Sequence, residues 1–321
     1  MGSRENGGPI IALSGGVGGA KLAVGLSRLD LGERLLVVAN VGDDFEHLGL
    51  TICPDLDSNT YALAGLNDEE KGWGRADEGW RFMDAVGEMG GENWFNLGDR
   101  DLALHVLRTQ ALAAGGSLSN VTATITKQLG IKAKLVPMTD DPVRTMVQTA
   151  DGALAFQHYF VRDRCEPVVT GFEFKGIATA MPQADFMATL ADPHLQAIIV
   201  TPSNPFVSID PILSLTGMRE AIAAAKAPVI AVSPIVAGLA IKGPAAKMMA
   251  ELGMPSTALA VAEYYGGLLD GFVLDHGDQD QADAVASLGI EPLVTKTVMQ
   301  SLDDRANLAR DILAFAESCR G

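Results

Sequence analysis

Seven short, largely apolar runs punctuate the chain: Pro9–Leu13, Arg34–Ala39, Lys132–Val136, Gln196–Thr201, Pro228–Ser233, Gly271–Leu274 and Pro292–Val294. Strands with one face in water alternate apolar and polar side chains, whereas strands covered on both faces do not. These runs therefore predict a mostly parallel sheet buried between helices. The intervening segments Ala20–Ser27, Leu213–Ala225 and Ala245–Leu252 carry apolar residues at helical spacing, and Gly253 is placed to end the last of them. Strand and helix patterns alternating in this way predict a doubly wound α/β fold.

Residues 61–130 break that rhythm. They hold all three tryptophans, Trp73, Trp80 and Trp94, and two helical patterns, Asp101–Ala114 and Leu118–Leu129. No Pro/Ser linker, low-complexity tract or internal repeat sets them apart. The expectation is one α/β domain over residues 1–321, with a nucleotide-binding core from 1–60 and 131–321 and a mainly helical insertion at 61–130.

Composition narrows the function classes. A chain of 321 residues, 48% hydrophobic and 20% charged, has a globular balance and room for a sizeable core. Its formal charge of −16 argues against non-specific binding to nucleic acid or to an anionic membrane surface. A phosphorylated ligand would then need placed amides, a few basic side chains or a metal ion. Cys53, Cys165 and Cys319 are odd in number and outside any CxxC spacing, which fits a reduced cytoplasm and not a disulfide framework. The leader MGSRENGG has no signal-peptide pattern, and no apolar stretch is long enough to span a bilayer. A soluble, cytoplasmic protein is expected.

The chemistry begins at LSGGVGGAKLAVGL, residues 13–26, between a strand pattern and a helix pattern. The dinucleotide fingerprint fails because Lys21 stands where the third glycine belongs, and the P-loop fails for want of its second glycine and its Ser/Thr. What survives is the mechanism: glycines let the backbone close on an anion, and a helix N-terminus offers free N–H groups and a positive dipole end. A tight turn with close helix–sheet packing is the competing reading. The second strand runs into NVGDD, which places Asn40, Asp43 and Asp44 beside the loop, and PDLDSN adds Asp55 and Asp57. Several carboxylates converging on a phosphate loop suggest Mg²⁺, although Asp57 or Ser58 could instead cap a helix. A second loop, TPSNPFVSIDPIL, offers Ser203, Asn204 and Ser208, and a third carries Lys242 and Lys247. The five histidines lack metal-ligand spacing, and HGDQDQAD at 276–283 fails the calcium-loop pattern and reads as a solvated face. Trp73, Trp80, Phe82, Trp94 and Phe95 suit either stacking on a flat heterocycle or a small core in the insertion.

In this order the motifs resemble the 2-phospho-L-lactate transferases of deazaflavin coenzyme (coenzyme F-420) biosynthesis. The resemblance spans nearly the whole chain: SGGVGGAKL, NVGDD, PDLDSNTYALAG, LGDRDLALHVLRT, LGIKAKLVPMTDDPVRT, PSNPFVSIDPIL, AVSPIVAGLAIKGPAAKMM and VAEYYGGLLDGFVLD. It implies a Rossmann-like core, a helical lid region and a phosphoryl-type transfer. The ribityl hydroxyl of the deazaflavin riboside attacks the distal phosphorus of a guanosine diphosphate-linked acid, and GMP leaves. Under this resemblance, Gly15, Gly16, Gly18, Gly19, Lys21 and Asn40 hold the donor phosphates, with Ser203, Asn204 and Ser208 completing the cradle. Asp44 and Asp57 bind Mg²⁺. Asp57 and Asn96 contact the deazaflavin, and Asp57 polarises the attacking hydroxyl. Val17, Asn96, Thr201, Val207 and Asp210 depart from the commoner family pattern. The donor acid is left open among lactate, enolpyruvate and a phosphoglycerate, and a homodimer is the expected assembly. Two rivals stand beside this: a nucleotide-sugar-binding regulator of the gluconeogenesis-factor type, and an NAD-dependent dehydrogenase.

Overall fold

A computed structural model describes residues 7–69, 71 and 73–320, so most of the leader read above lies outside the described residues. The seven apolar runs form seven strands: β1 (Ile10–Ser14), β2 (Leu35–Ala39), β3 (Lys134–Pro137), β4 (Ala197–Val200), β5 (Val229–Val232), β6 (Gly271–Leu274) and β7 (Glu291–Val294). They join in the order β7-β6-β5-β4-β1-β2-β3, and every pairing is parallel. All residues of β1, β2, β4, β5 and β6 are buried, which is why their sequences are apolar without alternation.

The strand order decides where a ligand goes. From β1 the chain moves outward through β2 and β3, then returns to lay β4 on the other side of β1. The crevice at such a reversal, outside the carboxyl ends of the strands, is where doubly wound sheets bind ligands. Two loops border it: the glycine run after β1 and residues 201–208 after β4. Helix α1 (Gly16–Ser27) leaves the glycine run and packs between α2 (Pro54–Ala64) and α4 (Leu302–Ser318). The α4 start is fixed by a capping box of Ser301 and Asp304.

The insertion carries helices Arg81–Glu88, α3 (Asp101–Ala113) and Leu118–Gln128. Two features and one residue depart from the sequence expectation. The pattern Leu213–Ala225 is split into Asp210–Leu213 and Met218–Ala224, with Gly217 at φ +75° in the break. A separate antiparallel sheet, Gly152–Ala155 on Arg144–Thr149 on Val169–Lys175, lies inside the region assigned to the core. Its central strand buries only Thr145 and Val147 of RTMVQT, a weak alternation without the apolar density of the main sheet. HGDQDQAD is solvated as expected except at one position: Asp278 is buried, and its carboxylate accepts from the Ala237 N–H at 3.0 Å and from Gln281 at 3.0 Å.

Candidate active site

A cavity of about 520 Å³ opens at the β1/β4 crevice. One end is built from the glycine run. Gly16 sits at φ +61°, and its N–H donates to Asp55 Oδ1. The neighbouring glycines are there for close approach. A Cβ on Gly19 would stand 2.5 Å from the Ser14 hydroxyl, 2.6 Å from that of Ser203 and 2.8 Å from that of Thr201. One on Gly18 would collide with the Pro202 carbonyl oxygen, and one on Gly15 would meet Ser208 and Asp55. The packing reading accounts for Gly15, Gly18 and Gly19, each of which has a neighbour where a Cβ would stand. Ser203 is a strut of the loop: its hydroxyl accepts from the Gly15 N–H at 3.1 Å and donates to the Gly15 carbonyl at 2.6 Å. The Asn204 side chain caps the short helical turn Pro205–Ile209 by accepting from the Phe206 N–H at 3.0 Å. Ser203, Asn204, Ser208, Gly15, Gly16, Gly18 and Lys21 all line the cavity.

Lys21, Lys71 and Lys242 also line the cavity; Lys242 Nζ donates to the Lys71 carbonyl at 3.1 Å, and the Lys71 ammonium lies over the Trp80 and Trp73 rings, 4.9 and 5.8 Å from their centroids. Burial, and then the charges of Arg305 and Lys242, push the Lys21 ammonium below its usual range. Such crowding of cations in an acidic protein is relieved by an anion. Lys247, grouped with Lys242 by sequence, instead pairs with Glu251 at 2.5 Å and does not line the cavity.

At mid-cavity stand two carboxylates, Asp43 and Asp55, both buried. Asn40 holds them together. Its Nδ2 donates to Asp43 Oδ1 at 3.3 Å and to Asp55 Oδ2 at 3.0 Å, while its Oδ1 accepts from the Gly42 N–H at 2.8 Å. Gln157 Nε2 donates to Asp43 Oδ2 at 3.1 Å. Burial, then the charges of Asp55 and Asp44, drive Asp43 well above the usual carboxylate range. Burial raises Asp55 to about 6, against the hydrogen bonds from Asn40 and Gly16. No lysine or arginine forms an ion pair with either among the described residues.

The expected metal pair, Asp44 and Asp57, is placed elsewhere. Asp44 lies buried beside the Cys53 thiol, and burial raises its carboxyl to about 8. Asp57 turns away from the cavity and meets the Arg108 fork: Nη1 donates to its Oδ2 at 3.1 Å, and Nη2 pairs with its Oδ1. Asn96 does line the cavity, next in the chain to Trp94 and Phe95, which line it too. This part of the cavity is aromatic. Phe156 and Phe160 stack with centroids 5.5 Å apart and planes at 6°, and Trp94 meets Phe45 and Phe95 at 5.7 Å. Trp94 packs on Phe95, Trp73 on Trp80 with centroids 6.4 Å apart, and Trp73, Trp94 and Phe95 line the cavity.

Sequence reasoning missed Gln157, Phe156, Phe160, Lys71 and the segment Thr297–Met299, all of which line the cavity. It also missed Arg108. The i, i+4 spacing of Phe156 and Phe160 was the one local signal, and it stands in a stretch with no strand or helix pattern around it.

A family model described as 2-phospho-L-lactate transferase CofD matches residues 10–304. The chain belongs to that family. It is 41% identical over 317 residues to a phosphoenolpyruvate transferase of Streptomyces coelicolor, covering 97% of this chain and 99% of that protein. With a 2-phospho-L-lactate transferase of Methanosarcina mazei it shares 36% over 304 residues, covering 95% and 99%. Among solved structures, a UPF0052-family protein of Bacillus halodurans superposes with a TM-score of 0.62 at 13% identity, covering 96% of this chain and 99% of the other. That likeness shows the fold alone. The family is one of enzymes, and neither the regulator nor the dehydrogenase reading is favoured by these relatives. Among the described residues, no helix is long and apolar enough to cross a membrane.

Proposed function

We propose that the chain transfers a phospho-acid from a guanosine diphosphate-linked donor to the terminal ribityl hydroxyl of the deazaflavin riboside in coenzyme F-420 biosynthesis. One observation carries this: a single cavity joins a glycine and lysine end, suited to a diphosphate, to an aromatic end, suited to a flat heterocycle, with two carboxylates between. The higher identity to the phosphoenolpyruvate transferases, 41% against 36%, supports enolpyruvate as the donor acid. The three free cysteines fit a reducing compartment such as the cytoplasm.

Asp43 and Asp55 fit a divalent cation. They are two convergent oxygen donors whose mutual repulsion no ion pair relieves, and Mg²⁺ typically takes one or two carboxylates and completes its shell with phosphate and water. Bound there, Mg²⁺ would supply charge neutralisation on the diphosphate. The rest falls to the chain. The Gly16–Gly18 backbone at the α1 N-terminus, with Lys21 and Lys242, orients the diphosphate and stabilises its developing charge. The aromatic end holds the acceptor ring so that the ribityl oxygen lies in line with the distal phosphorus. A new O–P bond forms, the P–O bond to GMP breaks, and the hydroxyl proton passes to Asp55, the cavity-lining carboxylate that stands against the glycine run.

The test is fluorescence titration with deazaflavin riboside, followed by turnover with each GDP-linked acid, in the wild type and in Asp55→Asn. We expect saturable acceptor binding in both proteins and a loss of kcat of about a thousandfold in the variant. Nucleotide binding with no acceptor binding would sink the transferase reading, and an unimpaired Asp55→Asn would remove Asp55 from the reaction.

A further inference from the structure

The two aspartates of PDLDSN stand two positions apart on α2, about 200° around a helix that turns about 100° per residue. They must face opposite ways. Asp55 faces the glycine run, accepting from Gly16 and Asn40. Asp57 faces α3, where Asp101, His105 and Arg108 form one stripe at i, i+4 and i+7. The contacts of that stripe go to α2, along α3 itself and, from Arg108 Nη1, to the Thr51 carbonyl at 3.3 Å. Arg108 takes both Asp57 oxygens, His105 Nδ1 lies 3.7 Å from Asp57 Oδ2, and His105 Nε2 lies 3.1 Å from Asp101 Oδ2. Asp101 in turn accepts from the Tyr61 hydroxyl, one turn beyond Asp57 on α2.

We propose that Arg108 is a positioning residue for the transfer reaction: its grip on Asp57 fixes the rotation of α2 that presents Asp55 to the glycine run, and Asp57 acts through this clamp without touching substrate. This rests on the transferase reading above. Both partners are almost wholly buried, Arg108 at 3% exposure and Asp57 at 6%, so neither tolerates the loss of the other. Removing one member of a buried ion pair leaves an uncompensated charge, while removing both charges need not. Burial opposes the Arg108 charge, yet Asp57 and its neighbours hold it more firmly protonated than usual. A dead Asp57→Asn enzyme therefore does not identify Asp57 as a group at the substrate, because the same change strands Arg108.

The experiment is a double-mutant cycle of Asp57→Asn, Arg108→Gln and the two combined, with Arg108→Lys as the conservative variant. Melting temperature, GDP affinity by calorimetry, and kcat and KM for the deazaflavin riboside are read for each. Each neutralising single change should lower kcat by about tenfold or more and depress the melting temperature, with effects far from additive. The doubly neutral protein should regain about tenfold in kcat over Asp57→Asn, with wild-type GDP affinity. Arg108→Lys should lower kcat while leaving the acceptor KM unchanged. A doubly neutral protein that melts and binds GDP like the wild type but turns over no faster than Asp57→Asn would overturn the proposal, since Asp57 would then act at the substrate. If the neutralising variants do not fold, Arg108→Lys decides alone, and an unchanged kcat overturns the clamp. If the wild type transfers nothing, the transferase reading fails, and additive losses of GDP affinity and melting temperature would separately refute the clamp.

Discussion

The two ends of the cavity are made in opposite ways. At the glycine end the ligand-facing surface is main chain, and that main chain is immobilised by short buried hydroxyls. Ser203 bonds both the N–H and the carbonyl of Gly15, Thr201 donates to the Leu13 carbonyl at 2.8 Å, and Ser14 donates to Asn59 at 3.0 Å. At the aromatic end the surface is side chain, contributed by Trp73, by Trp94 to Asn96, and by Phe156, Gln157, Phe160 and Val161. A diphosphate is recognised by N–H groups whose directions must be fixed, whereas a flat ring asks chiefly for area. The first demand constrains residue identity position by position. The second is met by large aromatics from wherever the chain happens to pass.

The sharpest way to break that contrast is at the glycines. Gly18→Ala drives a Cβ into the Pro202 carbonyl, a backbone atom held by the whole 201–208 loop, so the loops must separate. We expect a loss of about 3 kcal/mol in stability, read as a lower melting temperature, together with loss of nucleotide binding. Gly16→Ala meets no atom within 4 Å and bears only the left-handed strain of φ +61°, about 1 kcal/mol. Equal melting temperatures for the two variants would mean that the loops are not locked as described.

The same contrast explains what could be read from the sequence. All seven strands of the main sheet were legible because burial leaves them largely apolar, with Ser14, Lys134 and Glu291 only at strand ends, and β6 matches its expected bounds Gly271–Leu274. The glycine run was legible because backbone recognition leaves a local signature. The aromatic wall was half legible: Trp94 and Phe95 stood out, but Phe156 and Phe160 lie before and within the helical turn His158–Arg162, between two strands of the small antiparallel sheet, and only the fold brings that turn to the crevice. Asp55 and Asp57 teach the finer lesson. Composition alone cannot choose between them, but the helical phase of PDLDSN does, once α1 and α3 are known to lie on opposite sides of α2.

The carboxylates between the two ends offer a second test, smaller in effect. Asp43 is pushed up, and Asp55 rises to about 6, so the folded protein holds protons that the unfolded chain has already released above the ordinary carboxylate range. In that window the native state binds more protons than the unfolded one, and stability falls as pH rises. The melting temperature without divalent cation should therefore decline from about pH 4 toward and past pH 6 through these groups. Mg²⁺ at a hundred times its Kd should restore about 2.7 kcal/mol at neutral pH. Asp43→Asn should flatten the decline and abolish the response to Mg²⁺. A pH profile that the variant leaves unchanged would place the instability elsewhere.

The smallest expected effect lies at the aromatic end, and it is the one that separates the ends most cleanly. Phe160 is 38% exposed, and its ring stacks on Phe156 with the planes nearly parallel, so truncating it removes wall area without opening the core. In Phe160→Ala the acceptor Kd should rise about tenfold, the usual scale for losing one ring from a stacking platform. GDP affinity and melting temperature should stay where they are, because no glycine-end contact passes through Phe160. Weaker GDP binding in that variant would show that the two ends are not independent, and that the aromatic wall also shapes the phosphate site. Unchanged binding of both ligands would move the acceptor ring off this wall and toward Trp73, the other large aromatic side chain exposed at the cavity.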